Sequence, residues 1–286
     1  MRLKKSILKR TRHIRALVLD YPLRPLPDPV PAPEAAPAQD TAIPRRVYQT
    51  WEENLFGRRH LAALQAFRRQ NPGLTFVLLD RAARDAYMAD AWGHHPVHAV
   101  YRGARFGPMQ ADILRYCLLH ERGGYYFDIN KAVTVPLDAL HAPDTTALLA
   151  HEFSECHLLP DQTILRLLPH PDRYVAQWGF GFAPGHPVLA RMIAAICDYA
   201  PEFAGRRFAN PKSAILQLTG PGMFTRVLRQ CLQDDPDLAG RMRIHGPNFD
   251  GKGNVSLDGS DVRYLRQPPY FRARDEIILD PIAFQT

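Results

Sequence analysis

Residues 110–130 decide the fold, and they read QADILRYCLLHERGGYYFDIN. Apolar residues at helical spacing predict a helix over 109–121, and the Gly-Gly pair that follows predicts a left-handed cap and a tight turn into a strand. This strand, predicted over 125–129, is apolar until it reaches Asp128. Because ligands of open α/β sheets bind outside the carboxyl ends of strands, Asp128 lies at a candidate binding edge.

Two pairs of polar side chains mark this stretch as a site. Asp112 and Arg115 are three residues apart on the helix and share one face. Asp128 and Asn130 point to the same side of the strand end, with Ile129 facing the core. Such a pair of oxygen ligands suits Mg²⁺ or Mn²⁺, which complete their shells with phosphate oxygens and water. Taken singly, Arg115 is also typical of a surface ion pair and Asp-x-Asn of a strand-end cap.

Strands and helices alternate on both sides of this stretch. Strands are predicted at 45–49, 74–79 and 147–150, and helices at 58–69 and 187–199. The alternation predicts an α/β domain with a Rossmann-like, mostly parallel sheet flanked by helices, and with extra helices. The chain beyond residue 240, rich in Gly, Pro and Asp, gives no clear elements.

Zinc chemistry and disulfides are not predicted. The four cysteines are far apart and have no C-x-x-C spacing, which indicates reduced and mostly buried thiols. His151, Glu152, Glu155 and His157 lack the His-Glu-x-x-His pattern, and we interpret them as a loop after a strand.

The excess positive charge belongs to the N-terminus. Residues 1–24 hold eight basic side chains and one acid; taking these from the totals of 36 and 29 leaves 28 of each sign. Residues 1–20 can form a basic amphipathic helix, and two interpretations stay open: attachment to an anionic membrane surface, or a solvated arm. Eight prolines in 22–44 predict an extended spacer. We therefore expect an arm and linker over 1–42 and one domain over 43–286.

A cytoplasmic location is the default expectation, with peripheral contact at the inner face of the membrane through residues 1–20. The sequence has no stretch of about 18 apolar residues and no apolar segment long enough for a signal peptide. The neutral body argues against nucleic-acid binding.

Residues 110–137 resemble the sugar-binding region of the Asp-x-Asp glycosyltransferases, the yeast initiating mannosyltransferase-like family of the family 32 type. They are also distantly similar to the glucosylating domains of clostridial toxins. The likeness extends from Ile43 to Leu228 and includes weaker matches at 43–51, 179–187 and 218–222. It implies a GT-A-type fold and a metal-dependent, retaining hexosyltransferase. Such an enzyme would move a sugar from a UDP- or GDP-linked donor to a glycan or lipid-linked acceptor, in surface polysaccharide or capsule biosynthesis.

The resemblance also implies roles for individual residues. Asp112 and Arg115 would be the catalytic pair, with Asp112 accepting hydrogen bonds from the donor sugar and Arg115 contacting the sugar or the diphosphate. Trp51 would lie against the nucleotide base, and Tyr126 would line the nucleotide pocket. Asp128 would serve both ribose and metal.

Asn130 departs from the family pattern, which has a second Asp at this position as a direct metal ligand. Asn offers a neutral oxygen, and we therefore expect weaker metal binding. The family completes its metal shell with a His or a Ser-Trp pair near the C-terminus, for which there is no convincing match here. His245, Asn248 and Asp250 are candidates, and a surface loop is the alternative.

Two rival functions follow from these departures and from the basic tail. One is a non-catalytic carbohydrate- or nucleotide-binding descendant of such an enzyme. The other is a membrane- or nucleic-acid-binding module driven by the N-terminus. The sequence lacks G-x-x-x-x-G-K-[ST] and G-x-G-x-x-G, which argues against a P-loop NTPase or a dinucleotide oxidoreductase.

Overall fold

A mixed β-sheet with helices on both faces forms the body of the molecule. The structure is a computed structural model that describes residue 14 and residues 18–27, 41–254, 256–262 and 270–281. The predicted α/β class is confirmed. Most of the predicted arm and linker lies outside the described residues.

The regular elements of the described residues follow in chain order within each type. The α-helices are α1 (Arg58–Gln70), α2 (Arg81–Trp92), α3 (Pro96–Gly103), α4 (Gly107–Arg122), α5 (Gln162–Leu167), α6 (Pro187–Phe203), α7 (Pro211–Leu218) and α8 (Pro221–Asp234). The strands are β1 (Arg46–Thr50), β2 (Thr75–Leu79), β3 (Gly124–Phe127), β4 (Ala132–Val133), β5 (Ala147–Glu155), β6 (Arg173–Val175), β7 (Gly179–Phe182), β8 (Arg207–Phe208), β9 (Met242–Gly246), β10 (Gly253–Asn254) and β11 (Glu276–Ile277).

The main sheet is parallel over β2, β1 and β3 and mixed beyond them. Strand β1 pairs in parallel with β2 and β3, so their carboxyl ends share one edge. Strand β7 runs antiparallel between β3 and β5, and β9 pairs in parallel with the other edge of β5. Short antiparallel pairs, β4 with β10 and β8 with β11, lie outside this sheet.

Two hydrophobic clusters cover the two faces of the sheet. The larger packs α4, α6, α7 and α8 on one face, with Tyr116, Phe180 and Phe224 fully buried. The smaller lies on the other face against α1 and contains Phe127 and Trp178. Within the described ranges, no helix has both the length and the apolar character needed to cross a bilayer.

The described part of the predicted linker packs on the domain. Leu26 is 2% exposed and belongs to the smaller cluster. Asp20 is fully buried and pairs with Arg59 at 2.6 Å. Residues 20–27 therefore pack on the unit that was predicted to begin at residue 43.

The prediction of a loop at 151–157 is wrong for residues 151–155. Strand β5 continues to Glu155 because His151 and Glu155 pair with Val175 and Arg173 of β6. His151 is fully buried, whereas Glu155 is exposed. This stretch is polar because the strand passes from the buried core to the surface.

Candidate active site

The connection between α4 and β3 positions the site. Gly123 ends the helix with φ +62°, and its amide donates to the Leu119 carbonyl at 2.9 Å. A Cβ at this position would lie 2.7 Å from the Cδ atoms of both Pro44 and Pro184. A side chain is therefore excluded by backbone conformation and by space. The tight turn brings the buried face of α4 directly against the end of β3.

Arg115 joins the helix and the strand end. Its Nη2 lies 2.9 Å from Asp112 Oδ1 and 3.3 Å from Asp128 Oδ1, so one guanidinium pairs with both carboxylates. Nη1 donates to the Gln177 carbonyl at 2.7 Å, and Nε donates to the Ala111 carbonyl at 3.2 Å. The Arg115 side chain is only 5% exposed, so the alternative interpretation of Arg115 as part of a surface ion pair is wrong.

Asp112 is held from two sides. Its Oδ1 faces Arg115, and its Oδ2 accepts a 2.9 Å hydrogen bond from the buried Thr219 hydroxyl. Burial raises the pKa of Asp112 to about 7 against the attraction of Arg115 and the Thr219 hydrogen bond, and the negative charge of Asp128 adds to the rise. An ionised carboxylate has about four acceptor positions, so Asp112 can still accept from a ligand hydroxyl.

Tyr126 contacts both Arg115 and Asp128. The Arg115 guanidinium lies 4.4 Å from the centre of its ring, and its hydroxyl donates to Asp128 Oδ1 at 3.3 Å. Burial raises the pKa of Tyr126 far above its ordinary value, with the nearby Asp128 and Asp112 charges adding to the rise and Arg115 opposing it. Tyr126 as a whole is 1% exposed and reaches the site through the hydroxyl bonded to Asp128, and its predicted place in a nucleotide pocket remains a prediction.

A bulge in the sheet brings two further residues to the site. Ala147 of β5 pairs with Phe182 of β7, so a regular ladder would place His151 opposite Trp178. His151 pairs instead with Val175 of β6, so the segment between β6 and β7 contains three extra residues. In this bulge, the Gln177 side-chain amide donates to the Tyr116 hydroxyl and, at 2.8 Å, to the Thr219 carbonyl. The Trp178 carbonyl accepts from the Asp128 amide at 2.7 Å. Bulges of this kind often redirect side chains at functional sites.

Asp128 and Asn130 lie at the open edge of this arrangement. Asp128 is 32% exposed and Asn130 is half-buried, whereas Ile129 between them is buried, as predicted. Asp128 Oδ1 accepts from Arg115 and Tyr126, and within the described residues Oδ2 has no hydrogen-bond partner. One carboxylate oxygen and one amide oxygen therefore fit Mg²⁺ or Mn²⁺, which take one or two protein ligands when phosphates supply the rest.

The C-terminal candidates are mostly engaged elsewhere. Both ring nitrogens of His245 are hydrogen-bonded, to Asp250 at 2.7 Å and to the Leu140 carbonyl at 2.8 Å. The hydrogen bond from His245 lowers the pKa of Asp250 although partial burial opposes it. The Asn248 amide nitrogen donates to the Gly253 carbonyl at 2.8 Å. The described residues contain no group of three or more His, Cys, Asp or Glu that could hold a metal ion.

The segment around Asn248 nonetheless borders the site. Asn248, Phe249 and Asp250 all have φ near +55°, a conformation that non-glycine residues rarely adopt. Phe249 is fully buried against Phe127 and Trp178. The chain then returns to Asn130, whose carbonyl accepts from the Leu257 amide at 3.0 Å. The turn around Asn248 is therefore part of the wall beside Asp128.

Trp51 lies at the same sheet edge as Asp128. It follows β1, and its amide donates to the Leu79 carbonyl at the end of β2. The side chain is half-buried and packs on the smaller cluster. Its predicted contact with a nucleotide base remains a prediction.

Sequence reasoning missed Gln177 and the contact of Thr219 with Asp112. The turn at 218–222 was singled out as a match, but nothing in it signals a bond to a helix 107 positions earlier. Gln177 gave no signal, because its role depends on the bulge.

Comparison with known proteins supports the resemblance. Residues 57–147 match the family model described as "Glycosyltransferase sugar-binding region containing DXD motif", a range that includes α4, β3 and the strand end. The predicted resemblance to this glycosyltransferase family is therefore confirmed.

Curated relatives show the same resemblance. The chain is 24% identical over 205 residues to the "Initiation-specific alpha-1,6-mannosyltransferase" of Schizosaccharomyces pombe, covering 66% of this chain and 49% of that protein. It is 25% identical over 208 residues to the protein of the same name from Candida albicans, covering 64% and 51%. The chain thus spans about half the length of these relatives. The solved structure described as "PaToxG Glycosyltransferase" has a TM-score of 0.49 and 14% identity, covering 81% of this chain and 77% of that chain.

Proposed function

We propose that this protein is a metal-dependent glycosyltransferase that moves a hexose from a nucleotide diphosphate donor to a glycan or lipid-linked acceptor, with retention of configuration. The observation that carries the proposal is the contact of one buried guanidinium with two carboxylates, Asp112 on α4 and Asp128 at the end of β3. This contact joins a sugar-binding helix to a strand end that fits a cation. The names of the relatives make mannose the first donor sugar to test.

In this proposal, some residues of the site position the substrate and the others balance charge. Arg115 fixes Asp112 and Asp128 relative to each other, because the Gln177 and Ala111 carbonyls hold its other nitrogens. In this proposal Asp112 accepts hydrogen bonds from hydroxyls of the donor sugar, and Trp51 stacks on the nucleotide base. Asp128 and Asn130 would hold Mg²⁺ or Mn²⁺. When bound, the cation supplies Lewis-acid neutralisation of the charge that develops on the departing diphosphate.

The setting we propose is surface polysaccharide or capsule synthesis, in the cytoplasm or at the inner face of a membrane. The basic residues at 1–20 support contact with an anionic surface.

The test is donor turnover by the full chain with a panel of UDP- and GDP-sugars, each with Mn²⁺, Mg²⁺ or chelator. Asp128→Ala should reduce turnover by on the order of 100-fold or more, since even residues behind metal ligands contribute about 10- to 100-fold. Asp144→Ala is the control, because Asp144 is an exposed carboxylate in a loop. Full turnover by Asp128→Ala with an unchanged melting temperature would refute the site.

A non-catalytic descendant is the second candidate, favoured by Asn130 and by the absence of a three-residue metal group in the described ranges. Calorimetry distinguishes the two functions. Binding of GDP or UDP that does not respond to Mn²⁺, together with no turnover of any sugar in the panel, would support the non-catalytic function.

A further inference from the structure

Glu152 lies on β5, beside the bulge that reaches the α4–β3 junction. It lies two residues beyond Ala150, whose carbonyl accepts from the Ala176 amide at 2.7 Å at the start of the bulge. The other end of the bulge is bonded to the Asp128 amide through Trp178. The bulge therefore spans the distance between the strand that carries Glu152 and the strand that ends in Asp128.

The alternation that β5 keeps up to His151, its last regular pair with β6 before the register shifts, directs Glu152 toward the site. Leu148 and Ala150 belong to the same cluster as Trp178, and Glu152 continues their face about 7 Å further along the strand. His151 faces the opposite side and is fully buried. The Lys131 ammonium lies 5.9 Å from the Trp178 ring centre, so it shares this part of the wall.

The Glu152 carboxylate is partly withdrawn from water. It is half-buried, and among the described residues it has no hydrogen-bond partner. Burial raises its pKa, the positive charge of Lys131 opposes the rise, and the negative charge of Asp128 adds to it. The neighbouring carboxylate Glu155 is exposed on the same strand. A desolvated acceptor without a donor is costly unless a ligand supplies one.

We propose that Glu152 is a substrate-binding residue that accepts a hydrogen bond from a sugar hydroxyl at the site. This inference rests on the proposed glycosyltransferase function. Sugar hydroxyls are the chemistry that fits, because a carboxylate acts only as an acceptor and every hydroxyl offers a donor. The hydroxyl belongs either to the donor sugar or to the acceptor.

The experiment compares Glu152→Ala and the isosteric Glu152→Gln with Glu155→Gln as the matched control. Calorimetry measures affinity for GDP and for GDP-mannose, and steady-state kinetics measures GDP-mannose hydrolysis and transfer to methyl α-mannoside. A donor contact predicts that Glu152→Ala weakens GDP-mannose binding about 10- to 100-fold and leaves GDP binding unchanged. An acceptor contact predicts a similar rise in the KM for methyl α-mannoside with hydrolysis unchanged. In either case Glu152→Gln should show only part of the loss seen with Glu152→Ala, and Glu155→Gln should match the wild type.

Other outcomes overturn the inference. They are wild-type behaviour of Glu152→Ala in every assay, an equal loss of GDP and GDP-mannose binding, or a lowered melting temperature without a change in KM or affinity. If the wild type itself binds and turns over no nucleotide sugar, then the proposed function fails, and that result is visible before any variant is compared.

Discussion

The charge on Asp112 should govern how the stability of this protein depends on pH. Burial raises the pKa of Asp112 to about 7, against an ordinary value of 3.8. In the range between these values, the folded chain keeps a proton on Asp112 that the unfolded chain has lost. The contribution of this group to stability is therefore complete below about pH 4 and is lost as the pH rises to about 7.

The expected magnitude follows from the same difference. Each pKa unit corresponds to about 1.4 kcal/mol, so the free energy of unfolding should fall by up to roughly 4 kcal/mol across this range. Other ionisable groups also titrate, and the variant Asp112→Asn isolates this contribution. Asn has nearly the same shape, and its oxygen can still accept from Thr219, but it cannot take up a proton.

Guanidinium denaturation between about pH 4.5 and about pH 7.5 measures the effect. We expect the wild type to lose stability relative to Asp112→Asn as the pH rises, with most of the loss before about pH 7. Glu155→Gln, which removes an exposed carboxylate, should follow the wild-type profile. Parallel profiles for the wild type and Asp112→Asn, or a relative gain of stability with rising pH, would show that burial does not dominate at this residue.

Two substitutions test how the site is built. Arg115→Met should cost about 3–5 kcal/mol in unfolding free energy, since it leaves two carboxylates and the Gln177 carbonyl without their buried donor; a loss below about 1 kcal/mol at pH 8 in a denaturant titration would contradict the role of this ion pair. Gly123→Ala should cost about 1–3 kcal/mol because of its positive φ and the two proline contacts; Gly240→Ala, where a Cβ meets nothing within 4 Å, is the control, and equal melting temperatures for the two variants would contradict the strain.

The α4–β3 junction could be predicted because its signals are local. The helical spacing, the Gly-Gly cap and the apolar strand all lie within residues 107–130, and each determines structure over a few residues. The helix predicted over 109–121 spans Gly107–Arg122 in the structure, and the strand predicted over 125–129 spans Gly124–Phe127. The positions of Asp128 and Asn130 at the sheet edge follow from these elements, so they too could be predicted.

The environment of Arg115 could not be predicted because its partners are distant in the chain. The bond to Gln177 spans 62 positions, and the bond from Thr219 to Asp112 spans 107. The first depends on the bulge between β6 and β7 and the second on the packing of the α7–α8 turn against α4, and no local pattern indicates either. The buried ion pair was therefore visible in the sequence only as two polar residues sharing a helix face.

The rigidity of Arg115 also explains why Asn130 is compatible with a metal site. Four contacts from Ala111, Asp112, Asp128 and Gln177 hold the guanidinium, so Arg115 keeps its hold on Asp128 Oδ1 and leaves Oδ2 for a cation. Arg115 thus already neutralises part of the negative charge of Asp128, and Asn130 adds no charge. The protein alone should attract Mn²⁺ weakly, whereas a bound diphosphate adds the missing negative oxygens. In the nucleotide calorimetry, Mn²⁺ should therefore bind far more tightly with GDP present than without it, and equal affinity under the two conditions would mean that the cation is held by residues other than these.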